Sequence, residues 1–134
     1  MSPPRLERLV RIARALVPQK IEKTFHTTFI IRAGNIRAIG INKLNVTHPR
    51  NLLLNFRKDG IDYRDNVGVH SELSAVLKYG QEDCSTCTFV DIRLNVNGGV
   101  LQSKTCVGCM SLLHQVGYKR LYYTTHDGQF AEHC

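Results

Sequence analysis

The chain has 134 residues, 43% of them hydrophobic and 22% charged, a balance ordinary for a globular protein and unlike that of a disordered chain. At roughly 100–200 residues per domain, the expected organisation is one domain spanning the whole chain. Eighteen Lys and Arg against 11 Asp and Glu give a net charge of +7, which favours polyanions or phosphorylated small molecules as partners. No apolar run reaches the ~18 residues of a membrane span. The N-terminus, Met1-Ser2-Pro3-Pro4-Arg5, lacks the apolar stretch of a secretory signal. The expected compartment is therefore the cytoplasm (of the host cell if the chain is viral), where thiols stay reduced. Five cysteines are an odd count, and the two CxxC pairs among them read as metal sites before disulfides.

Residues 2–17 read as a helix. Ser2 caps it, Pro3 and Pro4 suit its first turn, and Pro18 stops it. Leu6, Leu9, Val10, Ala13, Leu16 and Val17 make its apolar face. This N-terminal amphipathic helix, 1–18, precedes a core of 19–134. Arg5, Arg8, Arg11 and Arg14 recur every three residues and so form a stripe. The stripe reads either as a solvated face or as a surface for phosphate or nucleic acid. Few aromatics interleave with it, which weakens a stacking platform for single strands.

Residues 24–32 are rich in β-formers, and 36–41 answer them across a Gly34-Asn35 turn as a hairpin. Residues 42–69 are polar and irregular, with one short helical turn expected over Leu52 to Phe56. A loop of that length inside a compact domain is usually functional. His70 to Tyr79 reads as a helix ended by Gly80, and 88–96 as the clearest alternating strand. A turn at Asn97-Gly98-Gly99 follows, then a helix over 106–116 closed by Gly117, then a strand over 121–125. Alternating strands and helices in the second half imply an α/β layer with at least one parallel pair.

Two fragments carry chemistry: His70-Ser71-Glu72 at one helix start and Cys106-Val107-Gly108-Cys109 at the next. Cys106 and Cys109 share one face of a helical first turn, where the positive helix end favours thiolate. With His70 they offer one nitrogen and two sulfurs, leaving a tetrahedral zinc an open position for water. Zinc acidifies such a water towards neutral pH. Glu72 is close enough in sequence to reach it without ligating the metal, and can carry protons as general acid and base.

This H-x-E followed by C-x-x-C resembles the zinc nucleobase deaminases, the cytidine and deoxycytidylate deaminase superfamily. The resemblance covers about residues 24–126 and points to a compact phage- or virus-type member. It implies a three-layer α/β/α fold with a central mixed sheet of four to five strands. It further implies one catalytic zinc held by His70, Cys106 and Cys109, Glu72 as proton shuttle, and hydrolysis of cytosine to uracil in a nucleoside or nucleotide: cytidine, CMP or dCMP. Asn42, at the end of Ile39-Gly40-Ile41-Asn42, matches a family asparagine that contacts substrate. Relatives complete sites across subunits, so a homo-oligomer is expected. His48, in the long loop after Asn42, is a candidate near the substrate phosphate. Three features depart from the family: Thr105 where proline is usual, Ser71 where alanine, valine or cysteine is common, and 33 residues between Glu72 and Cys106, a little more than is usual.

Two alternatives use the same residues differently. The charge and the arginine stripe favour a deaminase acting on single-stranded DNA or on RNA such as a tRNA loop. Cys84 and Cys87, with 18 residues between Cys87 and Cys106, also fit a four-cysteine zinc ribbon, a non-enzymatic binding module. A ribbon leaves His70-Ser71-Glu72 unexplained. In the deaminase layout Cys84 and Cys87 lie away from the zinc, as free thiols or as a second clip with His133 and Cys134.

Overall fold

The computed structural model describes residues 3–16, 24–41, 57–58, 61–62, 71–81, 83–95, 99–103, 107–125 and 127–133. The elements in chain order are α1 (Pro3–Leu16), β1 (Thr24–Arg32), β2 (Asn35–Ile41), β3 (Arg57–Lys58), β4 (Ile61–Asp62), α2 (Ser71–Tyr79), β5 (Thr88–Asn95), β6 (Val100–Leu101), α3 (Val107–Val116), β7 (Arg120–Thr124) and β8 (Phe130–Glu132). The main sheet runs β2-β1-β5-β7-β8, with β6 pairing β5 off that path. The expected four to five strands correspond to this path, and β6 adds a sixth. β5 and β7 are the parallel pair, joined through α3, while the other pairings are antiparallel.

The two faces of the sheet bury two apolar clusters. Ile30, Phe89 and Leu121 point to one side, against Leu73 and Val76 of α2 and Leu112 and Leu113 of α3. Phe25, Phe29, Val90 and Ile92 point to the other, against Leu6, Leu9 and Ala13 of α1. Period-two alternation along the strands produces this split. The result is three layers, α1 over the sheet over α2 and α3, as the resemblance implied. Among the described residues no helix is long and apolar enough to cross a membrane.

Three details differ from the sequence reading. The β1–β2 turn is one residue earlier than expected: Arg32 pairs with Asn35, and Ala33 and Gly34 turn the chain with φ of 52° and 80°. Two positive φ values in a two-residue loop match the twist of the flanking strands, and Ala33 accepts an uncommon conformation to provide it. Beyond the turn, Ile30 pairs with Ala38 but Ile31 with Ile36, so Arg37 is an extra residue on β2. That bulge lets Ile36 and Ile39, three apart, both pack on the α1 side. Within 42–69, β3 and β4 form a two-stranded ladder of their own. The helical turn expected over 52–56 lies outside the described residues.

Candidate active site

α2 and α3 begin at the same edge of the sheet. β2, β5 and β7 all run one way, because β1 is antiparallel to both β2 and β5 while β5 and β7 are parallel. Their carboxyl ends therefore share an edge, the place where open α/β sheets carry their sites. α2 crosses β2 with Ser71 against Gly40, one residue from the end of that strand. α3 follows the β5–β6 hairpin and returns the chain to β7. The two helices pack on each other as well as on the sheet.

Gly40 explains how closely α2 approaches. A Cβ at this position would lie 2.2 Å from the Ser71 carbonyl oxygen and 2.3 Å from the Ala75 nitrogen. Glycine is thus required here by contact between strand and helix backbones. Lys78 Nζ donates to the Ile39 carbonyl at 3.2 Å and fixes the other end of α2 to the same strand. Glu72 consequently sits in the first turn of α2, 7% exposed, where the helix end favours a carboxylate.

Beneath it runs a buried polar row. Gly40, Thr28, Asp91 and Tyr123 are successive cross-strand partners on β2, β1, β5 and β7. Thr28 Oγ1 donates to Asp91 Oδ1 at 2.5 Å and lies 2.8 Å from Ser71 Oγ, which is 3.5 Å from Glu72 Oε2. Thr28, Ser71, Glu72 and Asp91 are all buried. A second knot ties down the approach to α3. Ser103 Oγ donates to the Asp91 carbonyl at 2.7 Å and accepts from the Thr124 amide at 2.8 Å, and the Ser103 amide donates to the Thr124 carbonyl at 2.9 Å. Thr124 stands where the β7 pairing of β5 gives way to that of β6. The hairpin formed by β6 also accounts for the long interval between Glu72 and Cys106. Thr28, Asp91, Ser103 and Thr124 are absent from the sequence-derived candidates. The one signal available was an aspartate inside the apolar run Phe89-Val90-Asp91-Ile92.

Of the expected site residues, Glu72 is fully placed. Cys109 lies in α3, its side chain outside the described residues, as are His70, Cys106, Asn42 and His48. Their described chain neighbours Ile41 and Ser71 stand at the shared edge, and Val107 opens α3. The remaining cysteines separate cleanly. Cys84 and Cys87 are free thiols with no exposed surface, packed among Phe89, Leu112 and Leu121. Burial pushes the Cys84 thiol up to about 11, helped by the neighbouring Cys87. The Cys84 amide donates to the Val116 carbonyl, the last residue of α3, at 2.8 Å. Val116 is seven residues, or roughly 10 Å of helix, from Cys109, so Cys84 and Cys109 belong to opposite ends of α3. Of the expected clip residues, His133 donates its amide to Leu121, and Cys134 lies outside the described residues.

The arginine stripe lies across the sheet from these helix starts. Arg5, Arg8, Arg11 and Arg14 are exposed on α1. Arg5 has a structural task, donating from its guanidinium to the Gly34 carbonyl in the β1–β2 turn. Arg11 and Arg14 border a groove of about 800 Å³ together with Glu7, Asp127 and Phe130. Its charges are mixed, and it opens on the α1 layer.

Comparison with solved structures fits this architecture. The dCMP deaminase of cyanophage S-TIM5, in complex with dCMP and dUMP, superposes with a TM-score of 0.56 over 94% of this chain and 85% of its own, at 18% identity. The fold is that of the deoxycytidylate deaminases. The apo form of the same cyanophage deaminase gives a TM-score of 0.54, 18% identity, and coverage of 94% and 86%. No family model and no curated protein matches the chain. At this identity the likeness establishes the fold.

Proposed function

We propose that this protein is a zinc-dependent hydrolase that deaminates the cytosine of a small nucleotide, dCMP being the first substrate to test. The observation that carries the reading is the placement of Glu72. It is a buried carboxylate in the first turn of α2, at the sheet edge where α3 also begins, in a deaminase fold. The whole chain acts in this reading as one deaminase-like domain, and the homo-oligomer expected from the resemblance is part of it.

The donor set suits zinc: one imidazole from His70 and two thiolates from Cys106 and Cys109, at two helix starts whose positive ends favour thiolate. When bound, zinc supplies an acidified water as the nucleophile. The protein's own residues do the rest. Glu72 accepts a proton as the water oxygen adds to C4 of the ring and delivers it to N3. It then carries the second proton to the amino nitrogen, which leaves as ammonia while the C4 oxygen becomes the uracil carbonyl. Burial keeps bulk water from this carboxylate and strengthens its contact with the ring. Asn42 is the proposed contact to the substrate, and His48 a proposed contact near its phosphate.

Two rival readings lose their support. The arginine stripe that favoured a polynucleotide substrate lies on α1, on the far side of the sheet from α2 and α3. The four-cysteine module requires Cys84 and Cys109 on one metal, and they stand at opposite ends of α3. The decisive variant is Glu72→Gln. It should lose about 10²–10⁴-fold in kcat, the contribution of a proton shuttle, while keeping one zinc per chain. A Glu72→Gln protein without zinc, or with ordinary turnover, contradicts the assignment.

A further inference from the structure

The polar row under α2 is more than packing. Threonine and aspartate side chains in the centre of a sheet lose their hydration on folding, a cost that only good hydrogen bonds offset. A short apolar pair could fill the same space. Here the row instead ends on Ser71, the single residue between the proposed ligand His70 and the proposed shuttle Glu72. The chain joins strands and helix over long sequence separations. Asp91 holds Thr28, and Thr28 holds Ser71. The same Asp91 takes the Ser103 hydroxyl on its backbone carbonyl, three residues before Cys106. One residue of the central strand is therefore linked to both, to the start of α2 through Thr28 and to the approach to α3 through Ser103. Gly40, next in the row, leaves α2 free to settle on this ladder without intervening side chains.

We propose that Thr28 and Asp91 are positioning residues, a buried ladder that fixes the first turn of α2 through Ser71 and thereby sets where Glu72 stands relative to the α3 start. The inference rests on the deaminase reading for its effect on turnover. It also gives a reason for Ser71 where alanine, valine or cysteine is common among the proteins this chain resembles. The hydroxyl is the outer rung of the ladder. The link from Ser71 Oγ to Glu72 Oε2 is long at 3.5 Å, so the ladder acts chiefly by holding the backbone of the first turn.

The test compares Thr28→Val, which keeps the shape and removes the hydroxyl, with Thr28→Ser, which keeps the hydroxyl. Both are made in the full zinc-loaded chain, with Ser71→Ala as a break at the other rung. Two quantities are read: kcat and KM on dCMP, and hydrogen–deuterium exchange of the α2 first-turn amides. Thr28→Val and Ser71→Ala should lower kcat about 10- to 100-fold with KM within about threefold, the range for loss of a supporting contact. Exchange at the start of α2 should quicken in both, and Thr28→Ser should match the wild type in both readouts. Unchanged exchange in Thr28→Val overturns the ladder, as does a Thr28→Ser protein as impaired as Thr28→Val. If the wild-type chain deaminates no free cytosine nucleotide, the functional reading fails by itself, and the exchange comparison still decides the ladder.

Discussion

Replacing Gly40 with alanine probes the contact that seats the proposed shuttle. The added Cβ would meet the Ser71 carbonyl oxygen at 2.2 Å, the Ala75 nitrogen at 2.3 Å and the Ala75 Cα at 2.8 Å. Ordinary contacts between non-bonded heavy atoms lie near 3.5–4.0 Å, so the helix must withdraw by roughly 1 Å or more. The atoms met are backbone, and no rotamer change relieves the clash. We expect a loss of about 3 kcal/mol, the upper end of the usual cost of overpacking. For a chain of this size that lowers the melting temperature by on the order of 10 °C. Turnover should fall further than stability explains, by about 100-fold for a 1 Å misplacement of a catalytic group. Gly80→Ala is the control. Its Cβ would meet nothing within 4 Å, and its φ of +73° costs only the left-handed strain, about 1–2 kcal/mol. Urea denaturation and dCMP turnover measure both effects. A Gly40→Ala protein within about 0.5 kcal/mol of wild type, the range of a neutral surface change, refutes the seating argument.

Two further predictions concern the frame around the site. Ser103→Ala leaves the buried Thr124 amide without its hydroxyl acceptor and should cost about 1–3 kcal/mol, read from a denaturation midpoint shift at constant slope; no shift would mean that the β6–β7 junction does not anchor the approach to α3. Cys84 should resist alkylation by iodoacetamide at about pH 8 in the native protein and react once unfolded, since its burial disfavours the thiolate. The sign of the linkage follows. With the folded value raised to about 11, the thiol's contribution to stability is complete below the ordinary thiol range and is lost as pH rises through about 11. Rapid labelling of folded protein, or stability that rises over that alkaline range, contradicts this environment for Cys84.

Much of the architecture was legible because it is written in periodicity. The alternation in 88–96 gives β5, and the apolar spacing of Leu6, Leu9 and Ala13 gives the buried side of α1. Glu72 and Cys109 fall in the first turns of their helices, as the spacing of the apolar positions around them implied. What escaped was non-local. Nothing near Thr28 in the sequence marks Ser71 or Asp91, 43 and 63 residues away, as its partners. Gly40 read as part of a strand-end motif, while its necessity comes from a helix backbone more than thirty residues later. The turn fell at Ala33-Gly34 because strand twist outweighed the local preference of Ala33 for negative φ. The two-residue β6 is too short to leave a periodic trace. The arginine stripe was visible, but only the sheet shows that α1 stands on the opposite layer from α2 and α3.

In the proposed function, Glu72 and its helix start deaminate the cytosine of a small nucleotide. The most direct test offers the zinc-loaded chain a mixture of cytidine, deoxycytidine, CMP, dCMP, adenosine and a cytosine-containing single strand, followed by mass spectrometry, with Glu72→Gln in parallel. The proposed role of Glu72 predicts conversion of a free cytosine nucleotide, dCMP to dUMP first, in the wild type and none in Glu72→Gln. Conversion of the single strand alone, or of adenosine alone, or equal conversion by both proteins, would contradict it.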